Sequence, residues 1–233
     1  MGNMWNCIIF DTKIKDGEKL CTLKNKEGTI TYFEDIPEEK FDYLLDDIEK
    51  KAKKEGKTAN EYLDELARSE SRKIAYRDFI NEISRRNLND LIDHIFHGHL
   101  RTTLVRRRGR LPSTKGVHSE EFLDNIINRI KPGSRRPPNP LDDEIYHAEV
   151  QMKDVGGNWI DKLAPNGNVI QTTMFPKNWD KQRILEEVAV AWKNKIVDPS
   201  NADKFIGTTT NNIEVTFYIN NTTREIGTAF PIF

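Results

Sequence analysis

With 233 residues, 36% of them hydrophobic and 31% charged, the chain has material for one large domain or two small ones. No apolar run approaches the roughly 20 residues of a membrane span. The net charge of -1 is that of no obvious polyanion binder, but the charge is unevenly spread.

Residues 5–33 read as strands. Met1-Gly2-Asn3-Met4-Trp5 before them lacks the basic and apolar regions of a signal peptide. Cys7-Ile8-Ile9-Phe10 is a short apolar run, Lys15-Asp16-Gly17-Glu18 a turn, and Leu20 to Leu23 a second run. Lys26-Glu27-Gly28 turns into Thr29-Ile30-Thr31-Tyr32-Phe33, rich in β-branched and aromatic residues, so a small antiparallel sheet is predicted. Cys7 and Cys21 are the only cysteines. They cannot form a disulfide framework and match no zinc spacing; one bridge between neighbouring strands or two reduced thiols both fit.

The next block is helical. Asp35-Ile36-Pro37-Glu38-Glu39 offers a cap, a proline and acids, followed by Phe41, Leu44, Leu45 and Ile48 at helical spacing. After Gly56, Thr58-Ala59-Asn60-Glu61 reads as a capping box for a second helix with Tyr62, Leu63 and Leu66. A third apolar series through Ile74, Phe79, Ile80, Ile83 and Leu88 continues by Leu91, Ile92 and Ile95 into a histidine-rich stretch. His94 therefore falls near a helix C-terminus, whose carbonyls are expected to raise its pKa.

From Glu34 to Asp93 there are 17 acidic and 12 basic residues; from His94 to Pro140 there are 10 basic and 3 acidic ones. The second segment suits a phosphate backbone, or is a solvated charged loop. Beyond it, Glu121 to Ile130 reads as a helix, Pro132 to Pro140 as a loop and Tyr146 to Met152 as an alternating strand. Val169 to Phe175 is a further strand, Asp180 opens a helix with Ile184, Leu185, Val188 and Trp192, and a hairpin closes the chain over Ile213–Ile219 and Glu225–Phe230. Helices first and antiparallel strands later predict an α+β fold: a small β element and helical bundle, then a C-terminal antiparallel β core.

Chemistry concentrates in His94-Ile95-Phe96-His97-Gly98-His99 and Lys115-Gly116-Val117-His118-Ser119, with Arg101, Arg106, Arg107, Arg108 and Arg110 between. Two imidazoles are the simplest metal-free machinery for cleaving RNA: one takes the 2′-hydroxyl proton, the other protonates the departing 5′-oxygen. Competing readings are a structural role for His94 and a metal site at His94, His97 and His99, the latter without the Glu or Cys that zinc enzymes place nearby. Gly98 and Gly116 are compatible with close backbone approach near a ligand. No Gly-x-Ser-x-Gly elbow accompanies Ser119, and there is no glycine-rich phosphate loop.

The two histidine segments with their basic spacer resemble the paired-histidine signature of the bacterial EndoU nuclease domain, the C-terminal toxin of many polymorphic and contact-dependent toxins. Tyr146-His147-Ala148-Glu149-Val150, Thr172-Thr173-Met174-Phe175-Pro176-Lys177-Asn178-Trp179 and Gly227-Thr228-Ala229-Phe230-Pro231 resemble its later motifs, in order. The resemblance covers about residues 85–233 and assigns that range to an EndoU/RNase A-like core. Residues 1–84 are then a strand-plus-helix region, either an entry or adaptor element or an extension packed on the same domain.

Residue by residue, the resemblance implies RNA transphosphorylation without a metal or other cofactor. His118 would be the general base and His94 the general acid. Thr228 would contact base or phosphate, Phe230 would stack on a nucleobase, and Thr173 stands where the family places a base-reading hydroxyl. Phe230 replaces the family's tyrosine. Animal and viral relatives carry a lysine shortly before the hydroxyl strand; Asn168 and Val169 occupy that place here, with Lys162 and Lys177 out of register. Lys115 or an arginine of 106–110, Arg108 among them, is the expected source of the missing charge, with His99 flanking the phosphate. The implied partners are RNA, tRNA with exposed uridine included, and a cognate immunity protein, with neither DNA nor membrane. The implied setting is delivery by a specialised system or larger parent chain into a target-cell cytoplasm. The alternative is a weakened RNA-binding or interaction protein that keeps the nuclease fold.

Overall fold

The computed structural model describes residues 8–25, 31–105 and 109–233; Cys7, Arg106, Arg107 and Arg108 lie outside the described residues. The chain divides into two compact units, Met1–Ser71 and Arg72–Phe233. Helices and antiparallel sheets together make the α+β fold that the sequence predicts.

In the first unit, β1 (Ile8–Lys15), β2 (Glu18–Asn25) and β3 (Thr31–Pro37) form an antiparallel meander. Helix α1 (Glu38–Lys54) follows directly, with Glu38 and Glu39 in its first turn. Asp35 is not its cap: it lies inside β3 and pairs with Lys13 at 2.6 Å, so the helix starts from the fixed φ of Pro37. Cys21 and Leu23 pack with Phe41, Ile48, Ala59 and Leu63 in a local core.

Helix α2 (Ala59–Glu82) starts at the predicted capping box. Thr58 Oγ1 accepts from the Glu61 N–H at 3.2 Å while the Thr58 N–H donates to Glu61 Oε2 at 2.8 Å. Ser84 caps α3 (Arg85–Ile92) by accepting from the Asn87 N–H. The chain then widens into a single π-helical turn, Asp93–His97, closed by the Gly98 N–H on the Asp93 carbonyl at 2.6 Å.

The first part of the basic segment is not a loop. It contains β4 (His99–Val105) and β5 (Gly109–Lys115), paired antiparallel with His99 opposite Lys115 and Arg101 opposite Ser113. The helix expected over Glu121–Ile130 is also absent. Asp124 Oδ1 accepts from the backbone of Ile126 and Ile127, both at 2.7 Å, which holds a turn, and only β6 (Asn128–Ile130) follows. Ile126 and Ile127 are exposed, so their helical spacing carried no core.

The strand expected over Tyr146–Met152 is split. β7 (Tyr146–Ala148) and β8 (Val150–Lys153) join different sheets, β8 lying between β6 and β9 (Trp159–Asp161) and β7 pairing with β10 (Thr172–Met174), the regular part of the predicted 169–175 strand. Asp180 caps α4 (Lys181–Lys193) by accepting from the Arg183 N–H at 2.7 Å. The C-terminal sheet has four strands in the order β11 (Ile196–Asp198), β12 (Asn201–Thr208), β13 (Glu214–Ile219) and β14 (Ile226–Ile232), two more than the predicted hairpin.

Two apolar clusters stabilise the second unit. One joins α2, α3, the π-turn, α4, β13 and β14 through residues such as Phe79, Leu91, Ile95, Phe96, Trp192 and Phe217. The other gathers Val117, Ile130, Tyr146, Ala148, Val150 and Met174. His94 immediately precedes Ile95 of the first cluster and His118 immediately follows Val117 of the second. The histidines thus sit at a seam, each anchored by a neighbour in a different core.

Candidate active site

The π-turn creates the seam's geometry. Its carbonyls lack helical partners, and the second histidine segment uses them: the Val117 N–H donates to the His94 carbonyl at 2.8 Å and the His118 N–H to the Ile95 carbonyl at 2.6 Å. Reaching them forces Gly116 to φ +81 and Val117 to φ +64. For a β-branched residue that conformation costs on the order of 1–3 kcal/mol, offset here by full burial of Val117. A Cβ at Gly98 would lie 2.5 Å from Val117 Cγ2 and 2.8 Å from the Lys115 carbonyl. These glycines therefore let two backbones meet one another, rather than a ligand.

The imidazoles of His94 and His118 lie 5.3 Å apart between ring centres and 28° from parallel. His118 Nδ1 faces the Thr173 carbonyl at 2.8 Å; a carbonyl only accepts, so Nδ1 carries the proton and Nε2 the lone pair. Thr173 thus contributes its backbone oxygen to the imidazole. Two residues beyond His118, Glu120 is gripped by Arg135 at 2.8 and 3.1 Å and by the Tyr146 hydroxyl. On the other ring, His94 Nε2 shares a hydrogen bond with Thr228 Oγ1. Phe230 lies on His118, with centres 5.3 Å apart and planes within 16°, and is 6.2 Å from Tyr218. The stacking expected of Phe230 toward a nucleobase is directed, in this structure, at the imidazole.

Lys162 completes the cluster. Sequence spacing leaves it out of register, and no motif marks it. Its backbone is pinned on each side: Thr114 Oγ1 donates to the Ile160 carbonyl, the Leu163 N–H donates to Ser113 Oγ and the Ile170 N–H donates to the Lys162 carbonyl, each at 2.8 Å. Strand β5 therefore delivers Lys115 and also fixes Lys162. Burial, then the charges of Arg101 and Lys115, lower the Lys162 pKa to about 8.

That charge acts on both histidines. Burial first, then Lys162, Lys115, His99 and Arg101, push His94 down to about 3. Burial and then Lys162 and His94 push His118 well below the ordinary histidine range. The expectation that helix-end carbonyls raise the His94 pKa is overturned: His94 is only 6% exposed and faces several cations. Both rings are neutral near pH 7.

Of the other predicted residues, Lys115 lies beside His94, and His99 opens β4 with its pKa lowered by burial, Lys115 and Arg101. Arg108 is outside the described residues. His97 rests on Phe122 with ring centres 5.2 Å apart, and among the described residues no three His, Cys, Asp or Glu side chains converge as a metal-holding group. The sequence reading missed Arg101 as a site cation distinct from its neighbours, and missed Asn87. The Asn87 side-chain amide bonds both backbone groups of Ile226, two residues before Thr228.

The family described as bacterial EndoU nuclease matches residues 88–233. A protein of Bacillus cereus named "Toxin" is 28% identical over 178 residues, covering 72% of this chain and 29% of that protein. The chain thus spans less than a third of the length of that curated relative.

Proposed function

The chain belongs to the bacterial EndoU nuclease family, and from that premise we propose that it is an endoribonuclease that transfers phosphate within its own substrate. His118 Nε2 takes the proton of a ribose 2′-hydroxyl, the 2′-oxygen bonds to phosphorus, and the bond to the 5′-oxygen breaks as His94 gives that oxygen a proton. One product ends in a 2′,3′-cyclic phosphate and the other begins with a 5′-hydroxyl. The observation that carries this reading is the stacked pair itself, with the His118 tautomer set by Thr173 and the cation of Lys162 acting on both rings.

Lys162, rather than Lys115 or Arg108, is the group we assign to charge on the pentavalent phosphorane. Lys115 and His99 attract the chain on the His94 side. Thr228 orients His94. Phe230 braces His118 and offers the rest of its ring to a base, a contact worth roughly 1–3 kcal/mol. Burial and then the surrounding cations disfavour imidazolium, and an entering phosphate opposes this by bringing a negative charge that offsets the cations. Substrate binding thereby charges His94 for its acid role.

Since the relative in Bacillus cereus is named a toxin, we read this chain as the nuclease part of a delivered toxin that acts on RNA in a target-cell cytoplasm. It would be held in check by an immunity protein in the producing cell. Structured RNA with exposed uridine, tRNA included, is the proposed substrate, and residues 1–84 the proposed delivery or adaptor region. The test is incubation of the full chain and of His118→Ala with total tRNA in excess EDTA. Fragments ending in cyclic phosphate from the wild type alone support the reading; intact RNA in both defeats it for tRNA, and cleavage lost in EDTA assigns the chemistry to a metal.

A further inference from the structure

A cavity of about 300 Å³ opens on the side of His94 that faces α3 and the β13–β14 turn. Its lining is divided by charge. Lys115 and His99 come from the paired strands β4 and β5, where they are register partners, while Asp90, Asp93 and Glu225 come from α3, the π-turn and the turn before β14. His94 lines it as well, 6% exposed and with an Nδ1 that has no hydrogen-bond partner. The volume is at the small end for ligand sites, and the polar groups of opposite sign converge on it from separate elements.

We propose that this cavity receives the nucleoside 3′ of the cleaved bond and selects a base that carries an exocyclic amino group. The inference rests on His94 as general acid. The atom that takes its proton is the 5′-oxygen of the departing nucleoside, so that nucleoside lies on the His94 side of the phosphate. Among the described residues Lys115 has no carboxylate partner, so it is available to the phosphate entering the cavity. The carboxylates repel a second phosphate and accept hydrogen bonds, so they suit the base instead. Adenine, cytosine and guanine each offer an amino group to such an acceptor. Uracil offers one N–H flanked by two carbonyl oxygens, which repel a carboxylate on either side. Asn87 takes no part in reading the base, because its amide is spent on Ile226. It holds the wall in place.

The test has a binding arm and a cleavage arm, both on the full chain. In the first, 5′-AMP, 5′-CMP, 5′-GMP and 5′-UMP are titrated into the protein while the backbone amides of Ile226 and Gly227 are followed by NMR. The three amino-bearing nucleotides are expected to bind about fivefold more tightly than UMP, the ratio that one net hydrogen bond supplies. In the second, oligonucleotides with a single cleavable uridine followed by A, C, G or U are compared by kcat/KM. The same order and size of preference is expected, and Asp93→Asn with Glu225→Gln should narrow both ratios toward one. Cleavage without a 3′ preference, a preference that survives the double substitution, or nucleotide shifts that avoid Ile226 and Gly227 would each overturn the inference and leave the nuclease reading standing. Selective binding without cleavage of any oligonucleotide would remove the nuclease reading, and with it the 3′ assignment.

Discussion

Asn87 and Ile226 are joined as though they were strand neighbours: the Asn87 Nδ2 donates to the Ile226 carbonyl at 2.8 Å, and its Oδ1 accepts the Ile226 N–H at 3.0 Å. One buried side chain near the start of α3 thereby replaces a missing strand at the head of β14. Since Thr228 lies two residues on, this clamp sets the height of the hydroxyl that meets His94. Asn87→Leu leaves two buried backbone groups unpaired, at about 1–3 kcal/mol each. Thermal unfolding should move to lower temperature, and kcat on RNA should fall more than KM rises. Asn87→Asp, which keeps the acceptor, should recover part of both.

Lys162 predicts an alkaline limit to activity. With its pKa lowered to about 8, the lysine cation that faces the phosphorane is lost above that pH, so kcat/KM, which reports the free enzyme, should fall more steeply above pH 8 than below it. Lys162→Arg should move that limb beyond reach, because guanidinium stays charged. Lys162→Met should lower kcat/KM roughly 10²–10³-fold at pH 7. An unchanged pH profile in the arginine variant would assign the limb elsewhere.

The buried imidazoles make stability depend on pH with a definite sign. Above about pH 6.5 neither the native nor the unfolded chain protonates them. Below it the unfolded chain binds protons that native His94 refuses until about pH 3, so stability falls as pH falls across that window. His118, shifted in the same direction, adds to the slope. Denaturant titrations of wild type and His94→Asn between pH 6.5 and 5 should show a shallower loss in the variant. Ring NMR should also show the His94 pKa rising when 3′-UMP is added.

Gly116→Ala tests the backbone contact between the histidine segments. The new methyl would collide with the His94 carbonyl oxygen, and the φ of +81 would itself be strained. A loss of about 1–3 kcal/mol is expected, measurable by denaturant unfolding. Cleavage should fall further than stability accounts for, because relief of the clash separates the two rings.

The parts legible from sequence are those where chemistry is local. The capping box Thr58–Glu61, the Asp180 cap and the histidine pair are all readable over a few residues, and all stand in the structure. The misreadings fall where the short-range pattern did not decide the outcome. Ile126 and Ile127 have helical spacing with Phe122 but stand exposed, so the Asp124 turn prevails. The basic segment reads as a solvated loop from its charge, whereas His99–Val105 and Gly109–Lys115 pair as strands. Lys162 is invisible for a different reason: it owes its place to Ser113 and Thr114, on a strand distant in sequence. The direction of the His94 pKa likewise depends on cations from β4, β5 and the segment after β9.

The π-turn has one more consequence. Because the backbone of the second histidine segment hangs from carbonyls of the first, the separation of the two imidazoles does not depend on the length of chain between them. Strands β4 and β5 form an excursion that leaves and returns at the same point. Between Arg101 and Ser113, inside the strand ends that supply the site's cations and hold Lys162, such an excursion is free to lengthen or shorten, and so to meet new substrates or evade new inhibitors, without moving the two rings apart. Recognition can diversify at the rate of a surface segment while catalysis is kept at the rate of a core.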